Sequence, residues 1–206
     1  MPIITATGFL VSSPPGADAF WEVFAKVLSQ YPAWDDQGIM NYGLVARNFS
    51  GQFGITDPVD AYFAPFIMPV LHPENTTDSL LAAINKVFDE ATAGAPIELK
   101  RGIIPQTYPD FWAWYNVSNG PLDAGYDQYL GSRLLDGKAL TQNLTAVAEA
   151  FKAATPLGGV TSAYLVGGKG VINAKPRGGS NAVNSAWRKA YVHSGTYSGP
   201  TRSLAN

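Results

Sequence analysis

The side chains able to move a proton near neutral pH are few in this sequence. The 206-residue chain carries two histidines, His72 and His193, and no cysteine. A thiol nucleophile, a disulfide and a thiolate-held metal are thereby excluded, and no two-histidine helical zinc motif occurs. His193 ends the stretch Asn181-Ala-Val-Asn-Ser-Ala-Trp-Arg-Lys-Ala-Tyr-Val-His193. Read as a strand over 187–197, its period of two puts Trp187, Lys189, Tyr191, His193 and Tyr197 on one face. Arg188, Ala190, Val192 and Ser194 fall on the other. The second set suits packing against helices, and the first suits an open face that meets a ligand. Tyr191 and His193 are the candidate catalytic pair, because a phenol or an imidazole can relay a proton. Trp187 and Tyr197 are candidate substrate contacts beside them, and Arg188, on the other face, is either a further substrate contact or a structural arginine. The alternative for this set is a row of amphipathic surface aromatics. Arg133, in Ser-Arg-Leu-Leu, is either a cation that orients the substrate or a structural arginine paired with a neighbouring carboxylate. Tyr42, on a second strand, faces either the site or the core.

Other chemistries find no support. No G-x-G-x-x-G, Walker or G-x-S-x-G motif occurs. Gly167-Gly168-Lys169-Gly170 lacks the spacing of a phosphate loop and reads as a tight hairpin turn. Charged residues make up 15% of the chain against about 25% in ordinary globular proteins, apolar residues 46% and aromatics 12%. That composition excludes a disordered chain. The net charge is −2 and no basic block exists, so nothing points to a nucleic-acid partner. No apolar run is long enough to span a membrane. Met1 to Gly8 has no signal-peptide character, which favours a cytoplasmic location. Four N-x-S/T sequons, at Asn48, Asn75, Asn116 and Asn143, fit instead an origin in a secreted glycoprotein, or arise by coincidence.

The elements that must position these residues follow from periodicity. Ile3 to Val11 reads as a strand, and 18–31 as an amphipathic helix capped at Asp18 and stopped before Pro32. Ile39 to Asn48 reads as a strand, with Gln52 to Ile55 continuing a hairpin. Ala61 to Leu71 reads as a strand with bulged or edge positions, because Pro65 and Pro69 interrupt it. A helix capped at Asn75, Thr76 or Thr77 ends at Gly94. Pro96 to Ile104 is a strand, and the aromatic stretch 108–115 a short helix or irregular segment whose Trp112, Trp114 and Tyr115 pack. Residues 119–128 are a loop. Strands at 128–135 and 160–166 flank a helix at 138–154, and Val171 to Lys175 returns as a strand. The order lacks regular βα alternation. It predicts an α+β fold: an antiparallel sheet of about six to seven strands with helices packed on one face. Residues 1–198 form one domain, and 199–206 a frayed tail.

Three stretches, in this order and with these gaps, carry a family resemblance. They are Tyr108-Pro-Asp-Phe-Trp-Ala-Trp-Tyr-Asn116, Gly131-Ser-Arg-Leu-Leu135, and the Asn181–His193 segment. Together they resemble the substrate-binding half of berberine-bridge-enzyme-like, FAD-linked oxidoreductases of the vanillyl-alcohol-oxidase type, and look most like its fungal members. The resemblance implies a sheet that roofs the isoalloxazine ring of FAD. A small organic substrate, a secondary metabolite or carbohydrate, lies between ring and sheet and gives a hydride to the flavin. The departures matter as much. In the family, a preceding domain holds FAD and supplies its His and Cys tethers, and Met1 begins about where that domain would end. The family's C-terminal Asn-Tyr segment has no counterpart before Asn206, and Ser185 stands where the pattern has proline. The implied protein is a substrate-binding domain, truncated and inactive alone. It would hold no FAD by itself and would need a flavin-binding domain in cis or in trans. Its uncovered sheet face would be open to self-association. The alternative is a standalone small-molecule-binding protein, or a non-redox isomerase or cyclase derived from this half.

Overall fold

Residues 1–51, 55–118, 129–179 and 182–198 are described by the computed structural model. Strands β1 (Ile3–Ser12), β2 (Met40–Phe49), β3 (Val59–Pro69), β4 (Leu99–Tyr108), β5 (Tyr129–Asp136), β6 (Gly159–Leu165) and β7 (Ala190–Ser198) form one sheet. Its spatial order is β4-β1-β3-β2-β6-β7-β5, and every pairing is antiparallel. Helices α1 (Asp18–Ser29), α2 (Tyr31–Asp36), α3 (Thr77–Thr92), α5 (Gly137–Thr141) and α6 (Leu144–Ala154) contribute to the core that covers one face. The predicted α+β class is the one observed. The expected hairpin continuation at 52–54, the loop at 119–128 and the tail at 199–206 lie outside the described residues.

The core forms because two periodicities meet. Along α1, Phe20, Trp21, Phe24, Val27 and Leu28 recur at helical spacing and are fully buried. Alternate residues of the strands answer them: Ile4, Ala6 and Leu10 on β1, Tyr62, Ala64, Phe66 and Met68 on β3, Ala163 and Leu165 on β6, Val192 on β7. Phe24 meets Phe151 of α6 edge-to-face with centroids 5.2 Å apart, a geometry favoured by the ring quadrupoles. Thr76 caps α3, its hydroxyl accepting from the Ser79 amide while the Ser79 hydroxyl accepts from the Thr76 amide.

Several local expectations are corrected. Pro32 does not follow the end of a single helix. The chain breaks at Gln30, and Pro32 sits in the first turn of α2, where no intrahelical amide is needed. The new helix carries Trp34 into the core against Phe66. Asp18 is the first residue of α1 rather than its cap, and it pairs with Lys152 of α6. The helix expected at 138–154 is two, because Asp136 and Asn143 each accept a backbone amide three residues on, from Ala139 and Ala146.

Proline-bearing β3 is central rather than an edge strand. Its register with β2 passes from Asn41↔Phe66 to Leu44↔Phe63, so no β2 residue is partnered with Pro65. The Gly43 amide instead donates to the Asn41 side chain at 3.0 Å. A Cβ at Gly43 would lie 2.8 Å from the Tyr31 hydroxyl, so this crossing requires glycine.

Gly167-Gly168 is no hairpin turn, and Val171 to Lys175 is no strand. The two glycine amides donate to the carbonyls of Tyr191 and Ala190, and a Cβ at Gly167 would collide with the Ala190 carbonyl. The chain then coils into α7 (Lys169–Ile172), whose Lys169 amide donates to Asp35 at 2.8 Å. The aromatic stretch is a helix, α4 (Phe111–Ser118), on the other face of the sheet. Trp114 packs there on Ile3, Ile67 and Tyr108, whereas Trp112 is 66% exposed and Tyr115 is also exposed, against the packing expected of them.

Candidate functional site

The face opposite the core carries the residues with chemistry. Tyr42 of β2 is partnered with Tyr164 of β6, and Tyr164 with His193 of β7. Directly opposed residues of a sheet point to the same side. These three therefore form a row across three strands, roughly 10 Å from end to end at the usual strand spacing. The Tyr42 and Tyr164 rings meet edge-to-face with centroids 5.3 Å apart. The indole of Trp187 lies 5.6 Å from the His193 ring. Trp187 comes from a 3₁₀ turn at Ser185–Arg188 rather than from the strand expected to begin there.

The turn is held firmly. The Asn184 side chain accepts from the Ala186 amide, and Arg188 donates to the Val171 carbonyl at 2.8 Å, tying the turn to α7. The strand beside it is pinned by a side chain. Ser162 of β6 accepts from the Gly195 amide at 2.7 Å and donates to the Gly195 carbonyl at 3.3 Å. His193 thus sits two residues from a fixed point.

The structure brings Tyr42, Trp187 and His193 together and separates them from other candidates. Tyr42 is 41% exposed and faces the site rather than the core. Tyr191 departs from the predicted alternation. The register slips between Leu135↔Val192 and Asp136↔Ala190, leaving Tyr191 as the extra residue of a bulge. Its ring packs on the fringe of the core and its phenol lies near Lys169, whose ammonium is held charged chiefly by Asp36. Arg133 is partnered with Ser194 and stands on the helix side of the sheet, away from His193. The side chain of Tyr197 lies outside the described residues. Tyr164 was not among the residues singled out in the sequence. The alternation of Val160, Ser162 and Tyr164 within the predicted strand is the signal that could have found it.

The row offers ring faces and edges to a flat or apolar molecule, phenolic groups that donate or accept hydrogen bonds, and one imidazole. No carboxylate, lysine or arginine belongs to it. Among the described residues no group of three or more His, Asp or Glu could hold a metal ion. The phenols of the opposite face serve structure: Tyr31 and Tyr62 share a hydrogen bond at 2.8 Å, and burial pushes both phenols well above their ordinary range.

No family model matches the sequence, and no curated protein does. Solved structures resemble the fold. The VAO-type flavoprotein MtVAO713 from Myceliophthora thermophila C1 aligns with a TM-score of 0.75 and 23% identity, over 94% of this chain and 34% of its own. MtVAO615, a VAO-type flavoprotein from the same organism, aligns with a TM-score of 0.66 and 16% identity, over 94% and 32%. CrmK, a flavoenzyme of shunt-product recycling in caerulomycin biosynthesis, aligns with a TM-score of 0.53 and 14% identity, over 95% and 37%. Nearly all of this chain thus has a fold that makes up about a third of each of these flavoproteins.

Proposed function

We propose that this chain is the substrate-binding part of an FAD-linked oxidoreductase that acts on a small organic molecule. The observation that carries the reading is the ring-lined row Tyr42, Tyr164, His193 and Trp187 on the sheet face opposite the core, in a fold shared with VAO-type flavoproteins. The presence among the structural neighbours of CrmK, a flavoenzyme of caerulomycin biosynthesis, and of the glycopeptide hexose oxidase DBV29 supports a secondary metabolite or carbohydrate as the substrate.

The residues fit one end of such a cofactor. Aromatic rings and an imidazole suit the flat isoalloxazine and a substrate laid against it. Within the row no cation is offered to its pyrophosphate: Arg188 is tied to a backbone carbonyl and Arg133 stands on the other side. We assign FAD to a flavin-binding domain supplied in cis or in trans. The cofactor, when bound, supplies the acceptor for the substrate's hydride. What this chain supplies is position and a base. Tyr42, Tyr164 and Trp187 hold the substrate by its apolar surface and exclude water. The His193 imidazole takes the proton from the substrate hydroxyl. Tyr191, moved out of the row by the bulge, has no part in that transfer.

The test is to express the chain alone and together with a VAO-type flavin-binding domain, then to screen aldoses and aromatic alcohols anaerobically. The chain alone should stay colourless after incubation with FAD. The pair should be yellow and bleach with substrate, and His193→Ala should abolish bleaching with flavin content unchanged. A chain that retains FAD by itself, or bleaching that survives the substitution, overturns the reading.

A further inference from the structure

We propose that the helix side of the sheet holds a second ligand site, for a small amphipathic carboxylate, independent of the site around His193. A cleft of about 400 Å³ opens between the edge strand β5, its neighbour β7 and helices α5 and α6. That volume falls within the range of about 300–1,000 Å³ usual for small-molecule sites. Its floor is apolar, made by Leu135, Val147 and Phe151. Its depth has a simple origin. Helix α6 turns Ala146 and Ala150, four residues apart and so on one flank, toward the cleft. A larger side chain at either position would fill the space.

The charge at this cleft is one-sided. Among the described residues Arg133 and Lys138 line it, and no Asp or Glu does. Asp136, the carboxylate nearest in sequence to both, is engaged in capping α5 through the Ala139 amide. Ion pairs among the described residues join Arg101 to Asp89, Lys152 to Asp18 and Lys169 to Asp36, and neither Arg133 nor Lys138 takes part in one. Two cations beside an apolar floor match a ligand with a carboxylate head and a hydrocarbon or aryl body. A guanidinium binds a carboxylate through two parallel hydrogen bonds, which a neutral alcohol cannot reproduce. The site shares β7 with the His193 row but faces the other way: Ser194 lines the cleft and His193 the opposite surface. This assignment to Arg133 replaces the two roles open to it in the sequence, a cation of the His193 site or half of a structural ion pair.

The test uses the whole chain and two probes of equal length, octanoate and octanol, in isothermal titration. Octanoate is expected to bind saturably and more tightly than octanol by about tenfold, the ratio of a charge-assisted hydrogen bond. Arg133→Glu with Lys138→Glu should remove that preference and leave octanol binding unchanged. Ala150→Trp should abolish binding of both probes. Because Ala150 is exposed, the fold should survive, as circular dichroism will show, and Ala146→Trp serves as a second filling variant. Three results overturn the proposal: no saturable octanoate binding, equal affinity for the two probes, or octanoate binding that persists in both filled variants with the fold retained.

Discussion

The two faces of the sheet are built from the same strands and have opposite properties. On β7, Val192 is fully buried against helices, while His193 beside it belongs to the ring row. On β2, Val45 is buried in the core, while Tyr42 is largely open. The helix side is a continuous apolar cluster whose phenols satisfy one another. Among the described residues, its exceptions among buried side-chain polar atoms are the Trp21 indole nitrogen and the Asn41 amide nitrogen. The other side carries two smaller apolar clusters, around Ala46 and Ala61 and around Ile3 and Ile67, besides the aromatic, partly exposed row. Period two lets one strand serve stability with one set of alternate positions and chemistry with the other, so substitutions in the helix-side core and in the ring row should separate into those that unfold the protein and those that only disable it.

The strongest break of that contrast is Phe24→Ala on the helix side. Phe24 touches Trp21, Tyr62 and Phe151, and its loss should cost about 4 kcal/mol in chemical denaturation. Next comes Asp60→Ala. This buried carboxylate accepts from the Gly16 and Asn48 amides, both at 2.8 Å, joining the β1–α1 connection to the end of β2. Leaving two amides unsatisfied should cost about 2–3 kcal/mol, with Asp60→Asn milder because one acceptor remains. Tyr62→Phe should cost about 1 kcal/mol, since the Tyr31 hydroxyl keeps the Ala163 carbonyl at 3.2 Å.

A smaller effect is read through pH. Burial holds the Asp35 carboxyl above its ordinary value of 3.8, opposed by the Lys169 amide. A carboxyl raised in the folded state contributes stability that is full below 3.8 and lost as pH rises through the folded value. Asp35→Asn keeps an acceptor for that amide and removes the titration. Its stability relative to the parent should therefore improve, in thermal melts, as pH rises from below 3.8 through the folded value. Least of all, His193→Gln and Tyr42→Phe on the open side should change stability by no more than about 0.5 kcal/mol. A loss comparable to that of Phe24→Ala would show that the ring row is structural and would erase the contrast.

Much of the fold was legible because it rests on local rules. The apolar spacing of 18–31 marks the helix that fills the core, though it ends at Ser29, and Thr76 is among the candidate caps of the next. The alternation of Val192 and His193 separated core from open face correctly. Legibility failed where nonlocal contacts decide. Tyr191 was assigned with His193, but a bulge against Asp136 shifted it. Arg133 reads either as a cation beside the substrate or as half of a structural ion pair, but β5 turns that residue toward α5 and α6. Trp112 and Tyr115 were expected to pack, yet α4 turns them outward. Gly167-Gly168 looked like a hairpin because nothing in those residues announces Asp35, more than a hundred positions earlier, as the acceptor for Lys169.

Determined by sequence alone were the types of the long elements, the two-sidedness of each strand and the absence of any thiol chemistry, because these follow from residue type and from periods of two and 3.6. The tertiary structure alone decided which side of each strand the helices took, where the register slipped, and which side chains became neighbours. The row Tyr42–Tyr164–His193 joins residues more than a hundred positions apart. Such a set is created by strand order and register, and these are settled by the packing of the whole core rather than by any segment within it.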